Sequence, residues 1–323
     1  MRMTDDPREA AAALLAGRLV ALPTETVYGL GARADSPHAV ARVYAAKGRP
    51  ADHPLIVHVR DASALAAWAA GVPPYAAALA GAFWPGPLTL VVRRGARALD
   101  AVTGGQDTVA IRVPAHPAAR AVLDALVEAT GDAAFGVAAP SANRFGRVSP
   151  TTSGHVVSEL ADVLGEGDLV LEGGASAVGV ESTIVDCTGA RPAVLRPGKV
   201  SAADVGRATG LATGAPSGAR APGMLASHYA PLASVRVVDA AALALAPAAD
   251  AMVGVLALAD VPTPGGHVRL SAPATADEYA RVLYAALREA DALGLAEVLA
   301  VPPPAGGIGA AVADRLDRAA AGG

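Results

Sequence analysis

Short runs of branched and long apolar residues recur along this chain between glycine- and proline-punctuated turns. Their alternation with helix-forming stretches limits the folds open to it. Strands are expected near Leu19 to Leu22, Leu55 to Val59, Thr89 to Val92, Thr108 to Val113, Phe135 to Ala139, Leu169 to Leu171, Thr183 to Cys187 and Ala193 to Leu195. Asp6 followed by Pro7 reads as an N-cap and first helical position, with Gly17 closing that helix. Ser36-Pro37 opens a second helix in which Val40, Val43, Tyr44 and Lys47 recur at spacings of three and four, so Lys47 emerges near its C-terminal end. The pattern predicts an α/β domain on a large sheet over residues 1–205.

From about Ser201 to Leu232 the texture changes to Gly, Pro, Ala and Ser, which reads as a linker, placed at 206–232. Beyond it, strands near Ser234 to Val238, Met252 to Leu258 and Glu297 to Val301 alternate with helices, one opened by the capping box Thr275-x-x-Glu278. This predicts a smaller α/β domain over 233–323. A chain of 323 residues has room for two such cores. With 53% hydrophobic but only 3% aromatic residues, those cores must be built mainly from Ala, Val and Leu.

A net charge of -4 and a pI near 6.0 give no global drive toward nucleic acid or an anionic membrane. The single cysteine, Cys187, excludes a disulfide framework within the chain and a multi-cysteine metal site; it reads as a small buried strand residue and fits a reducing cytoplasm. The N-terminus lacks a signal peptide's apolar core and no apolar run approaches the roughly 20 residues of a membrane span, so a cytoplasmic protein with no membrane contact is expected.

Lysine occurs only at Lys47 and Lys199, each in a turn that also carries arginine: Lys47-Gly48-Arg49-Pro50 and Arg196-Pro197-Gly198-Lys199. A compact ammonium beside a planar guanidinium suits a polyphosphate; a lysine at a helix end also complements the helix dipole. The familiar phosphate loops, G-x-x-x-x-G-K-[ST] and G-x-G-x-x-G, are missing, and Gly306-Gly307-Ile308-Gly309 reads as a structural turn. No H-E-x-x-H or comparable ligand set is present, so no tightly bound protein metal is expected.

In Thr108–Val113 the residues Val109, Ile111 and Val113 share one strand face, leaving Thr108, Ala110 and Arg112 on the other. Thr108 and Arg112 then point the same way, about 13 Å apart at roughly 3.3 Å per residue. His58 likewise opposes Leu55, Val57 and Val59. A lone strand histidine is usually structural, but a mid-strand arginine facing a sheet needs an anionic partner.

Polar loops at strand ends complete the set. In order the chain reads P-T-E-T-V-Y-G-L-G from Pro23, K-G-R-P from Lys47, P-L-I-V-H from Pro54, W-P-G-P-L-T from Trp84, R-V-P from Arg112, P-S-A-N from Pro140, E-S-T-I-V-D from Glu181 and L-R-P-G from Leu195. Singly each could be a turn or a cap. Their joint order closely resembles the Sua5/YrdC family of threonylcarbamoyl-adenylate synthases, densely over residues 8–200. Ala221-Pro222-Gly223-Met224 and His228-Tyr229-Ala230-Pro231 are similar to the linker loop of the longer Sua5 type; the last ninety residues match by size and placement.

The resemblance implies a YrdC-like twisted open sheet with helices around a concave site, followed by a Rossmann-like C-terminal domain. It implies that L-threonine, bicarbonate or CO2, and ATP give threonylcarbamoyl-AMP and pyrophosphate, with Mg2+ arriving on the nucleotide. The product would pass to downstream threonylcarbamoyl transferase machinery for N6-threonylcarbamoylation of adenosine 37 in tRNAs reading ANN codons, with at most a weak tRNA contact by this chain. Carried over residue by residue, Lys47, Arg49, Ser141 and Asn143 hold ATP, with His53, Thr108, Ser149, Arg196 and Tyr229 at further nucleotide positions. Thr26, His58, Arg112 and Ser182 match threonine-binding positions, and Lys47, Arg49 and Arg112 are the expected catalytic set. The linker loop would close over the occupied site, although Leu225-Ala226-Ser227 lacks the basic residue that relatives often carry there. Two other readings stand beside this one. A non-enzymatic RNA-binding module is disfavoured by the acidic pI and the few aromatics. Adenylation of a different carbamoyl substrate, as in hydrogenase maturation proteins, goes with zinc-binding segments that one cysteine cannot supply.

Overall fold

The computed structural model describes residues 1–215, 218–224, 228–248 and 252–322. Its strands are β1 (Arg2–Thr4), β2 (Val20–Leu22), β3 (Gly29–Arg33), β4 (Ile56–Val59), β5 (Leu88–Arg93), β6 (Thr108–Arg112), β7 (Gly136–Ala138), β8 (Leu169–Leu171), β9 (Thr183–Asp186), β10 (Ala193–Arg196), β11 (Ser234–Val237), β12 (Val253–Leu256), β13 (Val268–Ser271) and β14 (Glu297–Ala300). The helices are α1 (Pro7–Leu15), α2 (Pro37–Lys47), α3 (Leu65–Trp68), α4 (Pro74–Phe83), α5 (Asp100–Thr103), α6 (Pro117–Thr130), α7 (Ser153–Leu160), α8 (Ala202–Thr209), α9 (Ala240–Ala244), α10 (Ala276–Ala292) and α11 (Gly309–Ala320). Among the described residues no helix is long and apolar enough to cross a membrane.

The chain divides into two compact units. The first comprises residues 1–145, 150–176 and 181–224; the second comprises 146–149, 177–180 and 225 onward. The first is built on a ten-stranded mixed sheet in the order β1-β8-β2-β3-β7-β4-β6-β5-β9-β10. Alternation along its strands separates two faces. Leu55, Val57, Val59, Val109, Ile111 and Val113 enter the main core with Ala39, Val40 and Val43 of α2 and Leu79 of α4. On the opposite face, α1 and α6 cover β2, β7 and β8 through Leu14, Leu123 and Leu126. Farther along that face Ile56, Val91, Ala110, Ile184 and Leu195 form a second apolar floor covered by Ala221 and Ala219, and among the described residues no helix joins the cluster. A sheet face roofed by loop rather than helix is where a pocket can open.

Two helix starts follow the expected chemistry. Asp6 caps α1 through the Arg8 amide and Ser36 caps α2 through the Ala39 amide, each with proline in the first turn. The Thr275 cap is half a capping box: its hydroxyl accepts from the Glu278 amide, while the Glu278 carboxylate turns to the Ala274 amide. Four elements lie outside the expected pattern. Strand β3 falls inside what reads as a glycine-rich loop, because its glycines admit neighbours: a Cβ on Gly31 would stand 3.0 Å from Val137 and 3.1 Å from Leu22. Helix α8 falls where the chain turns linker-like, and is set by a capping box between Ser201 and Asp204. The three-residue β1 carries no apolar run, and β13 is interrupted by Arg269.

The second unit holds a parallel four-stranded sheet in the order β11-β14-β12-β13. Its core joins Leu243, Val255, Ala257, Leu299 and Val301. Residues 146–149 belong to it through the Ala230 amide on the Gly146 carbonyl, 2.9 Å, and Arg147 paired with Asp291, 3.3 Å.

Gly136 tests the tightness of the main sheet, since a Cβ there would lie 2.5 Å from Trp68 Cζ2 and 2.6 Å from Val57 Cγ1, both in the closed core. Gly136→Ala is expected to destabilise the protein by about 1–3 kcal/mol, read from the urea midpoint. An unchanged midpoint would mean that the indole shifts freely.

Candidate active site

The first group of polar residues forms at one end of the sheet. Strands β3 and β7 are antiparallel, so the loop entering β3 and the loop leaving β7 meet there; Leu30 N–H donates to the Pro140 carbonyl (2.7 Å) and Ala142 N–H to the Tyr28 carbonyl (2.8 Å). Into this corner α2 delivers Lys47, its helix ending on Gly48 at φ 61. Lys47 is 2% exposed, and its ammonium donates to the Ser141 carbonyl at 2.6 Å and to the Asn143 carbonyl. Burial, reinforced by the Arg49 charge, holds its pKa well below the ordinary lysine value. Arg49 donates to the Pro54 carbonyl at 3.1 Å and lies over the Phe145 ring at 5.7 Å. His53 packs edge-on against the same ring at 5.4 Å; burial and the Arg49 charge lower its pKa.

A second group crosses the roofed-by-loop face as a polar row. His58 on β4 pairs in register with Arg112 on β6, and both share the face of Ile56 and Ala110. Thr89 on β5 and Ser182 before β9 continue it, their hydroxyls 2.7 Å apart. Arg112 is 4% exposed; its Nη2 donates to Glu25 Oε1 (2.6 Å), Nη1 to Thr26 Oγ1 (2.8 Å) and Nε to the Gly86 carbonyl (3.3 Å). His58 is buried and its Nδ1 has no hydrogen-bond partner among the described residues. Burial, with the Arg112 charge beside it, pushes its pKa down to about 3.

Arg196 closes the row. Its Nε and Nη2 donate to the Ser182 carbonyl at 3.1 and 2.9 Å, Nη2 also reaches Ser182 Oγ at 3.1 Å, and Nη1 donates to the Pro222 carbonyl at 3.0 Å. Gly198 allows this turn: a Cβ there would lie 2.4 Å from the Thr183 amide nitrogen. The stretch carrying Pro222 is also pinned by reciprocal bonds between the Arg220 backbone and the Gln106 amide, 2.8 and 3.2 Å, and by Arg220 near Asp52, 3.5 Å. It lies over the apolar floor through Ala221.

Two cation-rich groups on one sheet, a buried guanidinium with donors left over and a loop roof can take a small carboxylate-bearing ligand and phosphate groups. Residues 12–198 match the Sua5/YciO/YrdC family model, described as telomere recombination, and residues 192–321 match that of the threonylcarbamoyl-AMP synthase C-terminal domain. The chain belongs to the Sua5/YciO/YrdC family. It is 38% identical to a threonylcarbamoyl-AMP synthase of Pyrococcus abyssi, over 97% of this chain and 93% of that protein. It is 40% identical to one of Bacillus subtilis, over 73% and 68%. The structure of P. abyssi Sua5 complexed with L-threonine superposes with a TM-score of 0.86 at 36% identity, over 99% of this chain and 96% of that one.

Of the residues marked by their Sua5/YrdC resemblance, Lys47, Arg49, His53, Ser141 and Asn143 gather in the first corner, while Thr26, His58, Arg112, Ser182 and Arg196 share the polar row. Thr108 begins β6 on the Arg112 face. Ser149 and Tyr229 belong to the second unit. There Ser149 is buried, and Tyr229 has φ 64, held among Tyr284 (5.7 Å), His228 (4.2 Å) and the Arg315 guanidinium (5.3 Å). Residues 225–227, and with them Leu225-Ala226-Ser227, lie outside the described residues. Lys199 is exposed. Two contributors were not singled out in the sequence: Thr89, a threonine inside an apolar strand, and Glu25, whose signal was the anionic partner that Arg112 requires.

Folded His58 stays neutral down to about 3, whereas the unfolded chain takes up the proton near 6.5. Its contribution to stability is therefore full above 6.5 and falls with pH below it, by up to about 1.4 kcal/mol per pH unit. From pH 7 to pH 5 the stability difference between the wild type and His58→Gln should shift against the wild type by about 2 kcal/mol, measured by urea unfolding. A difference independent of pH would mean that the folded state accepts the proton.

Proposed function

We propose that this chain is a cytoplasmic threonylcarbamoyl-AMP synthase, making threonylcarbamoyl-AMP and pyrophosphate from L-threonine, bicarbonate-derived CO2 and ATP. The product serves a downstream transferase that modifies adenosine 37 of tRNAs reading ANN codons. The observation that carries this reading is Arg112: buried, anchored by three bonds and still holding one N–H on each terminal nitrogen, it suits a bidentate amino-acid carboxylate. His58, neutral and with an unpartnered nitrogen, and Ser182 lie in the same row for the rest of the threonine. Lys47, Arg49, Ser141 and Asn143 hold the triphosphate end, with Thr108, His53 and Arg196 completing the nucleotide site within the first unit.

In this arrangement Arg112 fixes the direction of the α-amine. Bound as the zwitterion, threonine first gives one ammonium proton to water; the neutral amine then attacks CO2 and gives a second proton to water, leaving a carbamate. A carbamate oxygen then attacks the α-phosphorus of ATP, and the bond from that phosphorus to the pyrophosphate oxygen breaks. Lys47, Arg49 and Arg196 offset charge on the phosphates and the departing pyrophosphate, and magnesium enters with the nucleotide. The chemistry is carried by positioning and electrostatics.

Lys47→Ala should lower threonine- and bicarbonate-dependent pyrophosphate release by about 100- to 1000-fold, with the far-UV spectrum retained. Full activity in that variant, with the product confirmed by mass, would remove Lys47 from the site. Threonine differs from serine by one methyl, so L-serine should be used only about 10- to 200-fold less efficiently. Discrimination beyond about 10,000-fold would show that something other than the methyl is read.

A further inference from the structure

Glu25 is the acid that meets Arg112, and both its oxygens are engaged: Oε1 by the guanidinium at 2.6 Å and Oε2 by the Ala115 amide at 3.0 Å. It thus spans from the guanidinium to the backbone just beyond β6. Burial favours its neutral form, but the charge and hydrogen bond of Arg112, with help from backbone amides, outweigh this and hold its pKa below the ordinary carboxylate value. Each carboxylate oxygen has a second lone pair, so Glu25 retains acceptor capacity.

We propose that Glu25 is a specificity-determining residue: it fixes the plane of Arg112 and supplies the negative charge that makes this pocket take a zwitterionic amino acid in preference to a hydroxy acid lacking the amine. This rests on the reading of Arg112 as the holder of the threonine carboxylate. The guanidinium and Glu25 sum to zero, and Arg196 at the far end of the row is assigned to the phosphates of the nucleotide. L-Threonine, with carboxylate and ammonium both charged, leaves that sum unchanged, whereas 3-hydroxybutyrate adds one uncompensated negative charge to a buried row, where such a charge is costly. With Glu25 neutralised, Arg112 alone would favour the plain anion.

The test uses the full chain and steady-state pyrophosphate release, with 3-hydroxybutyrate as competitor of L-threonine. Glu25→Gln keeps the side-chain size and an acceptor for the Ala115 amide. It should raise the KM for L-threonine by about tenfold, leave the KM for ATP within about twofold, and lower the ratio of the 3-hydroxybutyrate inhibition constant to the threonine KM by at least about tenfold. Glu25→Asp keeps the charge, so it should retain the wild-type ratio even where shorter reach raises the threonine KM. An unchanged threonine KM in Glu25→Gln, a parallel rise for both substrates, or an unchanged ratio overturns the proposal; so does a ratio in Glu25→Asp that falls as it does in Glu25→Gln. Arg112→Lys separates this from the reading beneath it. If that variant binds threonine normally, the carboxylate assignment itself fails; if it does not while Glu25→Gln does, only the role of Glu25 falls.

Discussion

A guanidinium buried in the middle of a sheet face is the constraint on which the first unit turns. Arg112 shares its side of β6 with Ala110, next to an apolar floor, and a charge there must be paired and hydrogen-bonded or it costs several kcal/mol. The pairing comes from a loop rather than a neighbouring strand: Glu25 and Thr26 reach Arg112 from the turn that joins β2 to β3. That turn can sit so close because β3 begins with glycines that let β2 and β7 approach. The same loop is locally fixed, the Thr24 hydroxyl accepting from the Val27 amide and donating to the Val27 carbonyl. Sequence order along P-T-E-T-V-Y-G-L-G is therefore structural logic, with the acid, the hydroxyl and the close-packing glycines each at the point where the fold needs them.

The second corner follows a different electrostatic plan. Lys47 is held by backbone carbonyls, which accept its protons without cancelling its charge. The carbonyls belong to Ser141 and Asn143, so the two motifs that look separate in the sequence are one unit, joined further by the Phe145 amide on the Lys47 carbonyl at 2.7 Å. A lysine whose ammonium is disfavoured by burial gains most from an arriving anion. The Lys47 corner thus keeps an uncancelled charge, whereas the Arg112–Glu25 pair is already neutral.

Most of the sheet was legible because its strands alternate. Val109, Ile111 and Val113 do face the core, and Arg112 does face away, as period two requires. What escaped were elements whose signals pointed elsewhere. Glycines that serve packing in β3 look like turn formers, and α8 carries two glycine- and alanine-rich turns with only Val205 fully buried. The candidate site was legible as a set of residue types but not as a set of contacts. Nothing local in Glu25 tells that it crosses to Arg112, eighty-seven positions away, nor that the Thr89 hydroxyl meets Ser182. Such pairings are fixed by strand order, which a periodicity argument cannot reach.

Arg196 shows how the roof and the row are made interdependent. Three of its hydrogen bonds go to Ser182 and one to the Pro222 carbonyl, so a single planar fork ties the polar row to the loop over the apolar floor. The Pro222 carbonyl lies on a loop that also packs Ala221 on the apolar floor, exchanges bonds with Gln106 and brings Arg220 to 3.5 Å from Asp52. The guanidinium is planar and rigid, so its bonds to Ser182 and to Pro222 set the row and the roof in one geometry.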